Sequence, residues 1–324
     1  MLAFIEITPW HWAGFIVSIL FFLAVDLGLF HRHAHVVKMR EAAIWTIVWF
    51  TLAMLFAWSL VPLRGKKEAL QFVTGYLIEL SLSMDNVFVI ALLFAYFRVP
   101  SHLQHRVLYW GILGALVMRG VMIGVGAALI SMVDWVLYVF GAFLLFSGVK
   151  MLFVESKVEP EKNVVVRLVR KFYPVAPELD GQKFFTHWQG QKALTPLALV
   201  LLLVETTDLV FALDSIPAVF AVTRKPFIVF TSNVFAILGL RSLYFLLAGA
   251  IGYFRYLRYG LPAVLVFMGI EMVIDPHDRE VPLWFQMDIP IATSLSVVAS
   301  ILLISILASV TATRMEKKTG GGDK

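Results

Sequence analysis

The sequence predicts an all-α polytopic membrane protein with about nine transmembrane helices. Three observations carry that reading. Of 324 residues, 60% are hydrophobic and only 15% are charged. The apolar residues fall in runs of about twenty, the length a helix needs to cross the hydrocarbon of a bilayer. Lys and Arg are also shared unevenly among the segments between these runs. With the N-terminus outside, nineteen fall in cytoplasmic segments and six in external ones, and positive charge marks the cytoplasmic side. An outside N-terminus and an inside C-terminus then require an odd number of spans.

The spans run roughly over 10–30, 41–63, 69–97, 107–130, 134–153, 193–222, 227–251, 259–274 and 289–312. No soluble domain remains. Residues 1–66 hold the first two helices. The first has no basic residues ahead of it and no small-residue cleavage site behind it, so it is read as a retained helix and not a signal peptide. The loop after it carries His31, His33 and His35. Extended, such a segment has metal-ligand spacing, but a basic loop on the inner leaflet is the simpler reading. Trp45, Trp49 and Trp58 in the second span are read as lipid-facing or interfacial anchors.

Residues 67–154 and 193–276 read as two three-helix repeats, spans 3–5 and 6–8. In the first, Glu79 and Asp85 lie six apart with Asn86 following. In the second, Asp208, Asp214 and Ser215 repeat that pattern. One Arg then sits in the middle of the next span in each copy, Arg119 after Gly111 and Arg241 after Asn233, at equal spacing. A unit of three helices crosses the membrane an odd number of times. The second copy therefore enters from the opposite side, and inverted repeats with a site at their interface are a transporter signature.

Between the repeats, 155–192 forms a cytoplasmic linker. Within it Val164 to Phe172 suits a short amphipathic helix, and Phe184, Phe185 and Trp188 suit the headgroup region. Residues 277–324 supply a C-terminal helix and a cytoplasmic tail. Asp275, Asp278, Glu280 and Asp288 before that helix read as a solvated outward loop, and its serines mark a packing helix. The chain has no Cys, which removes disulfides and thiolate metal sites. The net charge of +5 comes from the cytoplasmic loops and does not point to nucleic acid.

The chemistry concentrates in Glu79, Asp85, Glu205, Asp208 and Asp214. A carboxylate at bilayer depth costs roughly 2.5–3.5 kcal/mol, so such acids mark function by default. Against them stand two counter-charges, Arg119 and Arg241. Five acids and two Arg leave a surplus of negative charge within the spans, which one divalent ion and one proton would neutralise. Exchange of metal for protons follows as the simplest mechanism, with the two Arg holding the metal-free site together. Oxygen donors from these acids, Asn86 and Ser215 suit hard divalent ions such as Mn2+, Mg2+ or Ca2+. Met84, Met118 and Met122 are read as filler and not as copper ligands. Acids six apart on a straight helix point about 120° away from each other. The reading therefore expects each helix to break between its acids, at Ser83 in one copy and Pro217 in the other. An intramembrane aspartyl hydrolase would need a Gly-rich setting around a dyad, which is missing, so no enzyme is expected. No resident cofactor is expected either; the cation is read as substrate. The expected partners are cations, protons and lipid. A homo-oligomer or a metal-receiving protein docked through 155–192 is left open.

At Glu79–Val87 and Val204–Thr223 the chain resembles the TerC family of integral membrane proteins, most nearly its Alx branch. Phe227–Gly249 and Tyr138–Lys150 extend the likeness. The resemblance implies a bacterial inner-membrane protein of the LysE transporter superfamily, linked to Mn2+ export, alkaline-pH response and tellurite resistance. It also implies that Glu79, Asp85, Glu205, Asp208 and Asp214 take part in Mn2+ movement. Two positions depart from the family pattern: Leu80 and Glu271 stand where relatives often carry Lys.

Overall fold

The computed structural model describes residues 7–30, 39–133, 135–153, 164–248, 257–275, 284, 286–287 and 289–319. His31, His33 and His35 lie outside the described residues, as do Asp278, Glu280 and Asp288. The helices are α1 (Pro9–Phe30), α2 (Met39–Arg64), α3 (Lys66–Tyr96), α4 (Ser101–Met132), α5 (Val136–Phe153), α6 (Val164–Phe172), α7 (Pro196–Val222), α8 (Pro226–Ala248), α9 (Leu257–Ile274) and α10 (Ile291–Thr319). Among the described residues, α2, α3, α4, α5, α7, α8 and α10 are long and apolar enough to cross a membrane. The stretches Pro9–Ala24 and Tyr259–Ile274 are shorter apolar helices. The chain is thus a multi-pass membrane protein.

Burial separates inner from outer helices. In α8, 83% of the most apolar window is buried, and in α3 56%, against 17% in α10. Apolar side chains on α10 such as Leu303 and Ile304 face outward, as expected where lipid is the solvent. The inner helices meet through small residues. Gly75 of α3 lies against Ser232 of α8, beside a packed core of Phe72, Tyr76, Ile228 and Ala236. Without a hydrophobic drive between helices in lipid, such close approach is what holds them.

The tightest seam joins α5 to α9. A β-carbon at Gly269 would lie 2.9 Å from the Gly141 carbonyl oxygen, and one at Gly148 would lie 2.9 Å from that of Pro262. The two backbones touch directly. Elsewhere α3 packs on α8 and α7, α4 on α7 and α8, and α2 along α8 and α3.

The linker is more ordered than the all-helical expectation allowed. Helix α6 forms over the residues expected. Beyond it the antiparallel strands β1 (Phe185–Trp188) and β2 (Gln191–Leu194) make a hairpin. Its two-residue turn, Gln189 and Gly190, has φ of 51° and 78°, both positive as the tight hairpin turn requires. Strand β2 takes Ala193 and Leu194 from the expected sixth span, and α7 begins only at Pro196. Thr195 caps it, its hydroxyl accepting from the Ala198 N–H at 3.3 Å and donating to the Lys183 carbonyl at 2.8 Å. A Thr cap followed by Pro in the first turn is a strong helix start, and it ties the linker to the span.

Candidate functional site

Arg119 lies at the centre of the bundle, 2% exposed. A guanidinium inside a membrane protein must be paired, and two other helices supply its partners. Glu79 of α3 forms an ion pair with Nη1. Asp208 of α7 receives the fork, Nη2 to Oδ1 at 2.8 Å and Nε to Oδ2 at 3.1 Å. Ser215 Oγ, two turns further along α7, stands 3.4 Å from Nη1. Asn86 Nδ2 donates to the same Asp208 Oδ1 at 3.2 Å. Two-pronged, charge-assisted contact of this kind is the strongest hydrogen-bonded arrangement open to Arg.

Glu205 stands three residues before Asp208 and shares its helix face. Its carboxylate rests against Gly114 of α4, where a β-carbon would overlap it. Its Oε2 is buried and takes no hydrogen bond. Beside Asn86, Asp208, Thr207 and Gly111 lies a void of about 20 Å³, room for about one water-sized body.

The other expected groups sit elsewhere. Asp214 is half-buried and takes a hydrogen bond from Ser147 of α5, with the charge of Lys150 near. Asp85 is half-buried and makes no hydrogen bond or ion pair among the described residues. Arg241, 8% exposed, lines a small cleft between α2 and α8 with Glu41, Trp45, Trp49 and Ser242 and does not join the Arg119 cluster. Among the described residues no three of His, Asp and Glu converge as a ready ligand set. The middle of the cluster is filled by a guanidinium.

The expected helix breaks are absent. Helix α3 runs through Ser83, and α7 runs through Pro217, without interruption. Nearby hydroxyls bond back to their own helix, Ser81 to the Leu77 carbonyl and Thr206 and Thr207 to those of Leu202 and Leu203. They are satisfied without unwinding. Pro217 removes one N–H only, and the packed turns on either side carry the helix past it.

The sequence reading missed Gly114, Thr207 and Ser147. Gly114 was visible as a small residue one turn from Gly111 within a span, a mark of close approach. At the two departures from the family pattern, Leu80 packs among apolar side chains, and Glu271 is buried and accepts a hydrogen bond from Ser294 of α10 at 2.7 Å. An apolar cleft of about 550 Å³ between α1, α2 and α8, with Phe15, Phe22 and Phe56 in its wall, holds no acid.

A family model described as the integral membrane protein TerC family matches residues 64–317. A protein of Escherichia coli K12, provisionally named the membrane-bound redox modulator Alx, is 48% identical over 328 residues, 97% of this chain and 98% of its own. An uncharacterised membrane protein of Myxococcus xanthus is 50% identical over 308 residues, 95% and 94% of the two chains. Another, from Rickettsia bellii, is 38% identical over 300 residues, 92% and 96%. No solved structure matches.

Proposed function

We propose, on the premise that the chain belongs to the TerC family of integral membrane proteins, that it moves a hard divalent cation across the bacterial inner membrane. Mn2+ efflux in exchange for protons is the form of that activity we favour. The observation that carries the reading is the Arg119 cluster. Glu79 and Asp208 share one guanidinium, and Glu205 stands one helical turn from Asp208 with its carboxylate against Gly114, so two negative charges stay uncompensated when all three acids are ionised. Asp85 and Asp214 continue the two acid-bearing helices. Such a surplus calls for a mobile cation or for protons.

In this reading Arg119 holds the metal-free site closed. An arriving ion takes its place between Glu79 and Asp208, with Asn86 and Ser215 as neutral oxygen donors and Glu205 as the acid that gives up a proton. The helix pairing supports two inverted triplets, α3–α5 and α7–α9: α3 packs on α8 and, reciprocally, α7 on α4. Alternating access is the motion such a pair supports. The preference for Mn2+ rests on the family resemblance together with the oxygen donors. The Lys and Arg bias supports an N-terminus outside and a C-terminus in the cytoplasm.

The test is 54Mn2+ uptake into inverted membrane vesicles, with and without an imposed proton gradient. Uptake is expected to follow the gradient and to be lost in Glu79→Gln and Asp208→Asn. Unchanged flux in both variants would remove the cluster from the pathway. A second reading, a membrane scaffold or metal-delivery component, is favoured by the folded hairpin and α6 in the linker. It predicts that altering the exposed Phe185 and Trp188 abolishes the cellular phenotype while vesicle flux persists. The redox role in the relatives' name fits either reading through the ion that is handled, since a chain without Cys has no thiol to exchange.

A further inference from the structure

We propose that the membrane-level end of α3 and α7, between Arg98 and Arg170, binds the headgroup of an anionic phospholipid. A cavity of about 740 Å³ opens there, walled by Tyr96, Arg98, Arg170, Tyr173, Glu178 and Pro196 among others. Its walls are the last turn of one span, the first turn of another and the segment just after α6. This inference does not depend on the cation reading.

Two features fix the cations in place. Arg98 follows the end of α3 with φ of 49°, the left-handed region that side-chain-bearing residues seldom occupy. The conformation is held because the N–H groups of Arg98 and Val99 close back on the Ala95 and Phe94 carbonyls at 3.2 and 2.9 Å. The Arg98 side chain therefore leaves a rigid turn, and it is exposed. Arg170 belongs to α6, which is pinned by Val166. That side chain is 2% exposed and packs with Leu103, Val107, Leu197 and Val200 at the ends of α4 and α7.

Most of the other described side chains of α6 face outward. Arg167, Arg170 and Lys171 are exposed together with Leu168, Phe172 and Tyr173, the last three 54%, 69% and 56% exposed. With Arg98 that makes four exposed cations, and Glu178 is the single acid in the cavity wall. None of the four is in an ion pair among the described residues. A basic amphipathic helix with exposed aromatic and aliphatic side chains lies in the plane of a lipid surface and favours anionic headgroups. Two guanidiniums facing one cavity suit a phosphate diester.

The occupant is a lipid and not a free phosphate because of the apolar rim. Tyr96, Phe172 and Tyr173 stand at the level where spans leave the hydrocarbon, and aromatic side chains concentrate there. A soluble anion would need neither that rim nor so large a space. With the headgroup between Arg98 and Arg170, acyl chains run along the lipid-facing sides of the spans.

The test uses the full-length protein purified in a neutral detergent, with thermal unfolding followed as short-chain lipid is added. Dioctanoyl phosphatidylglycerol is expected to raise the midpoint by about 5 °C when in large excess over its dissociation constant. Dioctanoyl phosphatidylcholine and glycerol 1-phosphate are expected to leave it within about 1 °C. The R98Q/R170Q variant is expected to lose most of the response, and R167Q/K171Q to keep it. An equal response to phosphatidylcholine would mean a general amphiphile groove and overturn the proposal. An equal response to glycerol 1-phosphate would mean a soluble-anion site and overturn it too, as would an unaltered response in R98Q/R170Q. Should that double variant fold poorly, the three-ligand series on the unaltered protein decides alone.

Discussion

Arg119 illustrates how a single side chain commits three helices. It is buried, charged and shared between Glu79 and Asp208, so removing it leaves two carboxylates without a counter-ion. Arg119→Gln is expected to destabilise the protein by about 3–5 kcal/mol, read as a lowered denaturation midpoint in detergent. Adding Glu79→Gln should return part of that loss by removing one stranded charge. No recovery in the double variant would mean that Arg119 acts through packing alone. The acids and both Arg were legible because charge within an apolar run has no innocent explanation. What could not be read was their unequal use. Their equal spacing in the sequence makes Arg119 and Arg241 look equivalent, yet Arg119 meets acids from α3 and α7 while Arg241 lines a cleft against α2. Helix α2 packs along α8, which gives Arg241 a different neighbour from the one Arg119 has.

The helices were readable from apolar length, and α6 from Arg167, Arg170 and Lys171 recurring at helical spacing among Val and Leu. The hairpin was not. Its strands are four residues each, too short for a clear period of two, and Ala193 and Leu194 read as the start of a span. The clue was the Gln189–Gly190 turn, weaker than the Asn-Gly or Asp-Gly pairs that usually announce one. Next to this hairpin, Asp180 accepts from Thr186 Oγ1 at 2.8 Å and from Lys183 Nζ at 3.2 Å. These bonds, Thr186 first, hold its carboxyl below the usual carboxylate range. A folded-state value below the unfolded one means that the bonds add stability above the ordinary carboxylate range. That contribution fades as pH falls through the folded value. Amide exchange in β1 is therefore expected to speed up, relative to the intrinsic rate, as the protein is acidified, and Asp180→Asn is expected to abolish that pH step. An unchanged pH profile in the variant would assign the step to another group.

Across the whole molecule, the closest helix contact is the α5–α9 seam. The sequence showed Gly141, Gly148 and Gly269 but not that Gly141 faces Gly269 and Gly148 faces Pro262, since partners more than a hundred residues apart leave no local signal. Gly269→Ala places a methyl against backbone atoms of Gly141 and Leu145, which cannot turn aside as a side chain would. A cost of about 1–3 kcal/mol is expected, measured as a fall in melting midpoint. Gly14, with nothing within reach of an added β-carbon, is expected to tolerate the same change. The seam has a mechanical consequence as well. Where two helices touch backbone to backbone there is no layer of side chains to slip over, so they cannot slide past each other without losing contact along their length. The α5–α9 pair is then the keel of the protein. In the alternating access proposed above, rocking would pivot about this pair, with the Arg119 cluster carried on α3, α4 and α7 to one side of it.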